Sequence, residues 1–289
     1  MTFLSIVWDA DPVFFSLGPL TVRWYGLMFL FSFLSGFFIM KRFFNRENIP
    51  IPELDSLLIY VMLGTVIGAR LGHCFFYQPD YYLKNPMDIL KTWEGGLASH
   101  GAAIGILLSL WMFSKRYSRP YLWIVDRVVI VVALSGFFIR IGNFINSEIY
   151  GHQTDLPWGI IFKAVGEVIP KHPTQIYEAF ACIITFMSLL WVYKYYKAQA
   201  PHGLLFGLFL VCIFGFRFFI EYIKEVQVAF EEKMALDMGQ ILSIPFVIVG
   251  IGLIIYSLCN TQNTGTVVLS KLNDQQSQAA LLKKGRKAR

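Results

Sequence analysis

Seven apolar stretches, at residues 19–40, 57–77, 96–113, 121–141, 175–193, 203–223 and 238–258, constrain this chain more than any other feature. Each is close to the roughly 20 residues a helix needs to cross a hydrocarbon core of about 30 Å. Lipid offers no water to backbone N–H and C=O groups, so such segments cross as helices. The expected fold class is an all-α polytopic membrane protein. It has about seven transmembrane helices and a small extracytoplasmic segment, 142–174, between spans four and five. Composition agrees: 56% of residues are hydrophobic and 15% charged, against about 45–50% and about 25% in a soluble domain. Residues 1–260 are expected to form one transmembrane domain, and 261–289 a basic cytoplasmic tail without fixed structure.

Lys and Arg are unequally shared between the loops. One alternate set carries Lys41, Arg42, Arg46, Lys115, Arg116, Arg119, Lys194, Lys197 and the basic residues of the tail. The other carries Lys84, Lys91, Lys163, Lys171, Lys224 and Lys233. The richer set belongs on the cytoplasmic side, which places the N-terminus outside and the C-terminus inside. The net charge of +6 does not indicate nucleic-acid binding, because much of the excess sits in the tail. Cys74, Cys182, Cys212 and Cys259 show no CxxC spacing and read as small buried hydrophobes, not as a disulfide frame or a metal site. The first twenty residues lack a basic n-region and a small-residue cleavage site. No cleavable signal is expected, and the first span directs insertion.

Ionisable groups inside spans are costly and point to function. With the orientation above, Arg23, Arg70, His100, Arg140, Arg217 and Glu221 fall in the outer half of the membrane. Arg127 alone falls in the inner half, where a snorkelling or structural role is expected. Such a convergence suggests a water-accessible cavity holding an anion.

The densest stretch is "IRIGNFINSEIYG" (139–151). On a continued helix Arg140 and Asn143 share a face at i,i+3, and Gly142 permits close approach of a backbone or ligand. An interfacial helix end with Arg140 snorkelling explains the same residues equally well. Arg217 and Glu221 lie one helical turn apart and can pair, either as a structural ion pair or as a phosphate grip whose direction Glu221 fixes. His100, within "EGGLASHGAAIG", is either a packing residue among close-packing glycines or a proton acceptor near neutral pH. His172 and His73 are further candidates. There is no HExxH, Walker A or GxSxG pattern. On residues alone an anion or lipid transporter stays open, although such proteins often show internal repeats and midplane sites and this chain shows no repeat.

These residues occur in motifs that closely resemble the prolipoprotein diacylglyceryl transferase family. The most specific is "GFFIRIGNFINSEIYG" (136–151), which carries Arg140, Gly142, Asn143, Asn146, Glu148 and Gly151. "RWYGLMF", "WEGGLASHG", "HPTQIYEA" and "RFFIEYIKE" follow in family order over about residues 20 to 260. The resemblance implies a bacterial inner-membrane enzyme that moves the diacylglyceryl group of phosphatidylglycerol to the lipobox cysteine of a preprolipoprotein, forming a thioether and releasing glycerol 1-phosphate. It implies Arg140 and Arg217 as lipid-binding, catalytic arginines and His100 as thiol base. It further implies Tyr25, Asn143, Glu148, Gly151 and Glu221 as substrate-binding positions, with no cofactor and no metal. Two departures stand out: Ile213 where many relatives have tyrosine, and Gly101-Ala102 in place of a glycine pair.

Overall fold

The computed structural model describes residues 6–18, 20–92, 95–225 and 236–260. The expected tail, and Trp93 and Glu94 of the "WEGGLASHG" motif, lie outside them. The described residues form eight α-helices: α1 (Trp24–Arg46), α2 (Ile51–Phe76), the short α3 (Pro79–Lys84), α4 (Ser99–Tyr117), α5 (Tyr121–Ile145), α6 (Thr174–Tyr195), α7 (Leu204–Ile220) and α8 (Met238–Asn260). Each expected span contains one of the long helices, but the first and third begin later than expected: residues 20–23 form a strand, so the first helix starts at Trp24, and the third starts at Ser99. Six helices are long and apolar enough to cross a membrane: α1, α2, α5, α6, α8, and α7 with its extension to Ile223. α4, the expected third span, is a 19-residue helix outside that group.

Connections 47–50, 118–120 and 196–203 join helices at one end of the bundle. The remaining, longer connections gather at the other, where α1, α4, α6 and α8 begin and α2, α5 and α7 finish. The short-loop end holds the main core: Phe43, Phe44, Leu54, Phe113, Ile124, Ile130, Leu189 and Leu205 are all buried there. Two polar devices lock it. Arg127 donates to both carboxylate oxygens of Glu47 (3.1 and 3.0 Å) and to the carbonyls of Trp123 and Ala198. Glu47 also accepts from Trp123 Nε1 and Tyr193 Oη. Buried Asp126 accepts from the backbone N–H groups of Gly203 and Phe206 at 2.7 and 2.8 Å, capping α7 and complementing its dipole.

Helix pairing divides the bundle into two groups. α1 packs on α5, α5 on α6, and α7 on both α5 and α6, whereas α2 packs chiefly on α4. The α2–α4 seam is made of glycine. A side chain at Gly72 would lie 2.7 Å from Gly101 Cα, and one at Gly68 2.9 Å from Gly105 Cα, so the backbones touch directly. The polar ties from this pair to the rest lie toward the short-loop end, in Arg119–Glu53 and the hydrogen bond from Tyr121 Oη to the Leu107 carbonyl.

The helices are not the whole fold. β1 (Ile6–Trp8) pairs in parallel with β4 (Ile160–Phe162), and β2 (Val13–Leu17) forms a hairpin with β3 (Leu20–Arg23). The segment 142–174 is thus a small head built jointly with the N-terminal strand. Its aromatic centre joins Trp8, Phe144, Tyr150 and Phe162, with Trp8–Phe144 centroids 4.4 Å apart and Tyr150 stacked on Phe162 at 5.1 Å. The expectation that all four cysteines are buried is corrected. Cys74 is buried and Cys182 half-buried, while Cys212 and Cys259 lie on the outer faces of α7 and α8, where apolar side chains also face outward.

Candidate active site

Helix α5 carries Arg140 in its last turns, and the chain then turns through Ser147 and Ile149, both with positive φ. That turn folds Glu148 back onto the helix end. Asn143 Nδ2 donates to Glu148 Oε2 at 2.9 Å, and Asn146 Nδ2 to Oε1 at 3.1 Å. Arg140 Nη1 donates to Asn143 Oδ1 at 3.2 Å, as the i,i+3 spacing predicts. Buried Gln175 at the start of α6 fixes the same turn by donating to the Glu148 carbonyl at 2.5 Å. Gly142 makes room for Tyr25 of α1, since a side chain there would lie 2.8 Å from the tyrosine ring. The Tyr25 hydroxyl is within electrostatic reach of Asn143, Glu148 and Arg140.

Arg140 Nε lies 3.0 Å from Glu178 Oε2 on α6, an ion-pair distance that is out of line for a hydrogen bond. From Glu178 the charges continue. Its Oε1 is 3.1 Å from Lys224 Nζ, Lys224 is 3.4 Å from Glu221 Oε1, and Glu221 is 3.3 Å from Arg217 Nε. One alternating chain, Arg140–Glu178–Lys224–Glu221–Arg217, therefore spans α5, α6 and the end of α7. Its interior is dry: the Lys224 and Glu178 side chains are 5% and 7% exposed. Its two ends are open, with the arginine side chains 22% and 37% exposed. Among the described residues, Arg217 Nη1 and Nη2 and Arg140 Nη2 have no hydrogen-bond partner. Such donors, held by a carboxylate on one side and free on the other, suit a phosphate.

The head closes over this chain. Gly151 bridges to Lys224, the His152 N–H donates to the Ile223 carbonyl at 2.9 Å, and the Gly151 N–H donates to the His172 carbonyl at 2.9 Å. A side chain on Gly151 would meet the Ile223 carbonyl, His172 and Thr174. Close approach explains this glycine. From α8, Gly239 similarly lies against the Glu221 carboxylate. In the head, burial and then the hydrogen bond to Glu167 push the Tyr150 phenol up to about 12, so it stays protonated.

The other expected residues lie elsewhere. Arg70 is buried, but its donors go to the carbonyls of Ile89, Gly95 and Asp88, with its guanidinium 5.1 Å over Tyr82. It ties the 77–98 connection to α2, and the expectation that it joins an anion cluster is corrected. Arg23 ends β3 and is exposed. His73 packs against Tyr77 and Tyr82. His172 Nδ1 lies 3.4 Å from Tyr177 Oη, which accepts from Trp158 Nε1. His100 is the second residue of α4, exposed, and without a hydrogen-bond partner among the described residues. No contact joins it to the charge chain there. Glu178 and Lys224 are the residues that sequence reasoning missed. The signal was present in "HPTQIYEA" and "RFFIEYIKE", where an acid and a base stand among apolar neighbours.

The chain matches the family model described as prolipoprotein diacylglyceryl transferase over residues 12–256. It is 47% identical to the phosphatidylglycerol–prolipoprotein diacylglyceryl transferase of Tolumonas auensis over 253 residues, covering 87% of this chain and 97% of that protein. It is 44% identical to the protein of the same name from Chloroherpeton thalassium, covering 89% and 96%. It is 45% identical to that from Porphyromonas gingivalis, covering 88% and 95%.

Proposed function

Because this chain belongs to the prolipoprotein diacylglyceryl transferase family, we propose that its open charge chain is where phosphatidylglycerol surrenders its diacylglyceryl group. The protein is a multi-pass membrane transferase of lipoprotein biosynthesis, acting on phosphatidylglycerol and a prolipoprotein. In our reading the acceptor is the thiol of a lipobox cysteine. The observation that carries this is the pair of partly exposed arginines at the same end of the bundle, Arg140 anchored by buried Glu178 and Arg217 by largely covered Glu221.

The proposed reaction is a displacement at a saturated carbon. The thiolate sulfur forms a bond to the terminal glycerol carbon of the diacylglyceryl unit while that carbon's bond to the phosphate oxygen breaks. The bonding pair leaves with the phosphate, giving glycerol 1-phosphate and a thioether. Negative charge grows on the departing phosphate, and Arg140 and Arg217 would meet it with oriented donors. Asn143 and Glu148 hold the Arg140 end, Glu221 the Arg217 end, and Tyr25 and Gly151 shape the walls. Holding both substrates beside each other supplies a further part of the rate.

A cysteine thiol titrates near 8.5 and attacks as thiolate, so its proton must go to a base. His100 is exposed on α4 and carries no competing partner among the described residues, which leaves it available to a thiol presented between the two helix groups. His100→Gln should sharply lower turnover. Full activity of that variant from about pH 6 to 9 would assign deprotonation to the field of the arginines instead. The loop charges favour the site end as the extracytoplasmic one.

The test of the whole reading is direct. Purified protein in detergent is given phosphatidylglycerol and a lipobox peptide, and the peptide is weighed by mass spectrometry. A diacylglyceryl mass gain on cysteine, absent from the serine peptide, is expected. No gain from a folded, lipid-binding preparation would overturn the reading.

A further inference from the structure

Two carboxylates and two arginines could form two independent ion pairs, one on α5 and α6 and one on α7. The buried lysine between them makes that description incomplete. Lys224 Nζ lies 3.1 Å from Glu178 and 3.4 Å from Glu221, so one ammonium is shared by the carboxylates that hold Arg140 and Arg217. Burying Lys224 and Glu178 is expensive, and a buried ion pair is weak evidence of stability by itself. Apolar residues would fill the same space at lower desolvation cost.

Backbone contacts also fix the lysine. Lys224 bridges to Gly151, flanked by hydrogen bonds from the His152 N–H to the Ile223 carbonyl and from the Glu225 N–H to the Tyr150 carbonyl, at 2.9 and 3.3 Å. Its position is thus set by the head, while its charge sets Glu178 and Glu221. Glu178, on α6, spends its second oxygen on Arg140. The pair is placed where α5, α6, α7 and the head meet.

We propose that Glu178 and Lys224 are a positioning pair that fixes the separation and direction of the two arginines, so that both donate to one phosphate. Neither touches the reacting atoms. Lys224 also keeps Glu178 and Glu221 from repelling one another and from pulling their arginines fully inward. This rests on the reading of the site as a phosphatidylglycerol site and deepens it.

The test compares Lys224→Met, Lys224→Arg, Glu178→Gln and the double variant Glu178→Gln/Lys224→Met in the full-length protein in detergent. Three quantities are read: thermal melting, equilibrium binding of phosphatidylglycerol, and kcat and KM for the lipid with a lipobox peptide. The double variant removes one charge of each sign, so it keeps net charge and is expected to melt near the parent. Misplacing a reacting group by about 1 Å costs roughly 100-fold, and a loss of that order in kcat/KM is expected for Lys224→Met and for the double variant. Phosphatidylglycerol binding should weaken with it. Lys224→Arg, able to bridge both carboxylates, should recover most of the loss.

A double variant with parental melting, binding and turnover would overturn the proposal, leaving the pair a matter of buried-charge balance. So would a Lys224→Arg variant that folds but stays as impaired as Lys224→Met. If Lys224→Met does not fold, the double variant and Lys224→Arg decide alone. Should the parent bind phosphatidylglycerol yet transfer nothing, the assigned reaction fails while the binding series still decides the positioning role.

Discussion

Two groups of buried charge, one at each end of the bundle, use the same residue types to opposite effect. At the short-loop end Arg127 is 2% exposed and spends its donors on Glu47 and on two carbonyls, with Trp123 beneath it at 4.6 Å. At the other end Arg140 and Arg217 each have one carboxylate and keep donors free. Arg70 shows that location alone does not decide the matter, since it lies toward the site end and is as fully satisfied as Arg127. Backbone carbonyls complete the shells of Arg127 and Arg70, whereas Arg140 and Arg217 keep donors free for the proposed ligand.

The comparison breaks first at Arg140. Arg140→Ala should lower turnover by roughly 1,000-fold, the scale of losing a preorganised anion donor, with little change in melting. Near-normal turnover would remove it from the site. Arg127→Met should do the reverse, destabilising the fold by about 3 kcal/mol because the largely covered Glu47 loses its cation. Turnover per folded molecule should hold, and adding Glu47→Gln should restore much of the melting temperature. A selective loss of kcat in Arg127→Met would erase the distinction between the ends.

Arg217→Lys sharpens the contrast by keeping the charge and losing the planar fork. A drop in kcat/KM of about tenfold is expected, equal to about 1.4 kcal/mol, and an unchanged value would mean that a point charge suffices there. The smallest effect belongs to the head. Burial, and then the neighbouring His152, hold the His172 imidazole below its ordinary value. A depressed folded-state value means that folding disfavours the protonated ring. The contribution is full above the ordinary value of about 6.5 and is lost as pH falls through the depressed one. Melting temperature should therefore fall modestly on acidification through that window, and His172→Gln should flatten the dependence. An equal slope in the variant would place the titration elsewhere.

The helices were legible because about 20 consecutive apolar residues have few other solutions. Arg140 with Asn143, and Arg217 with Glu221, were legible because helical periodicity alone brings them together. Asp126 capping α7 through the N–H of Gly203, 77 residues later, and Arg70 reaching carbonyls 18 and 25 residues on were not, for each is a tertiary contact with no local pattern. Lys224 shows the same limit more sharply. Counted as a loop cation it helps to orient the chain, yet it is buried between Glu178 and Glu221. The parallel β1–β4 pair was missed because the two strands have three residues each and separate regions of sequence supply them.

That parallel pair has a consequence for biosynthesis. β1 is made well before its partner, which arrives only with residue 160. Arg140 likewise waits for Glu178, and Lys224 closes the link last of all. While the first helices insert, the nascent protein therefore carries an unpaired strand, and once α5 is made it carries the Arg140 guanidinium without its carboxylate until α6 follows. A chain that stops before α6 has both β1 and β4 but lacks Glu178 and Lys224, so Arg140 and Gly151 go without the partners that tie the head to the helices.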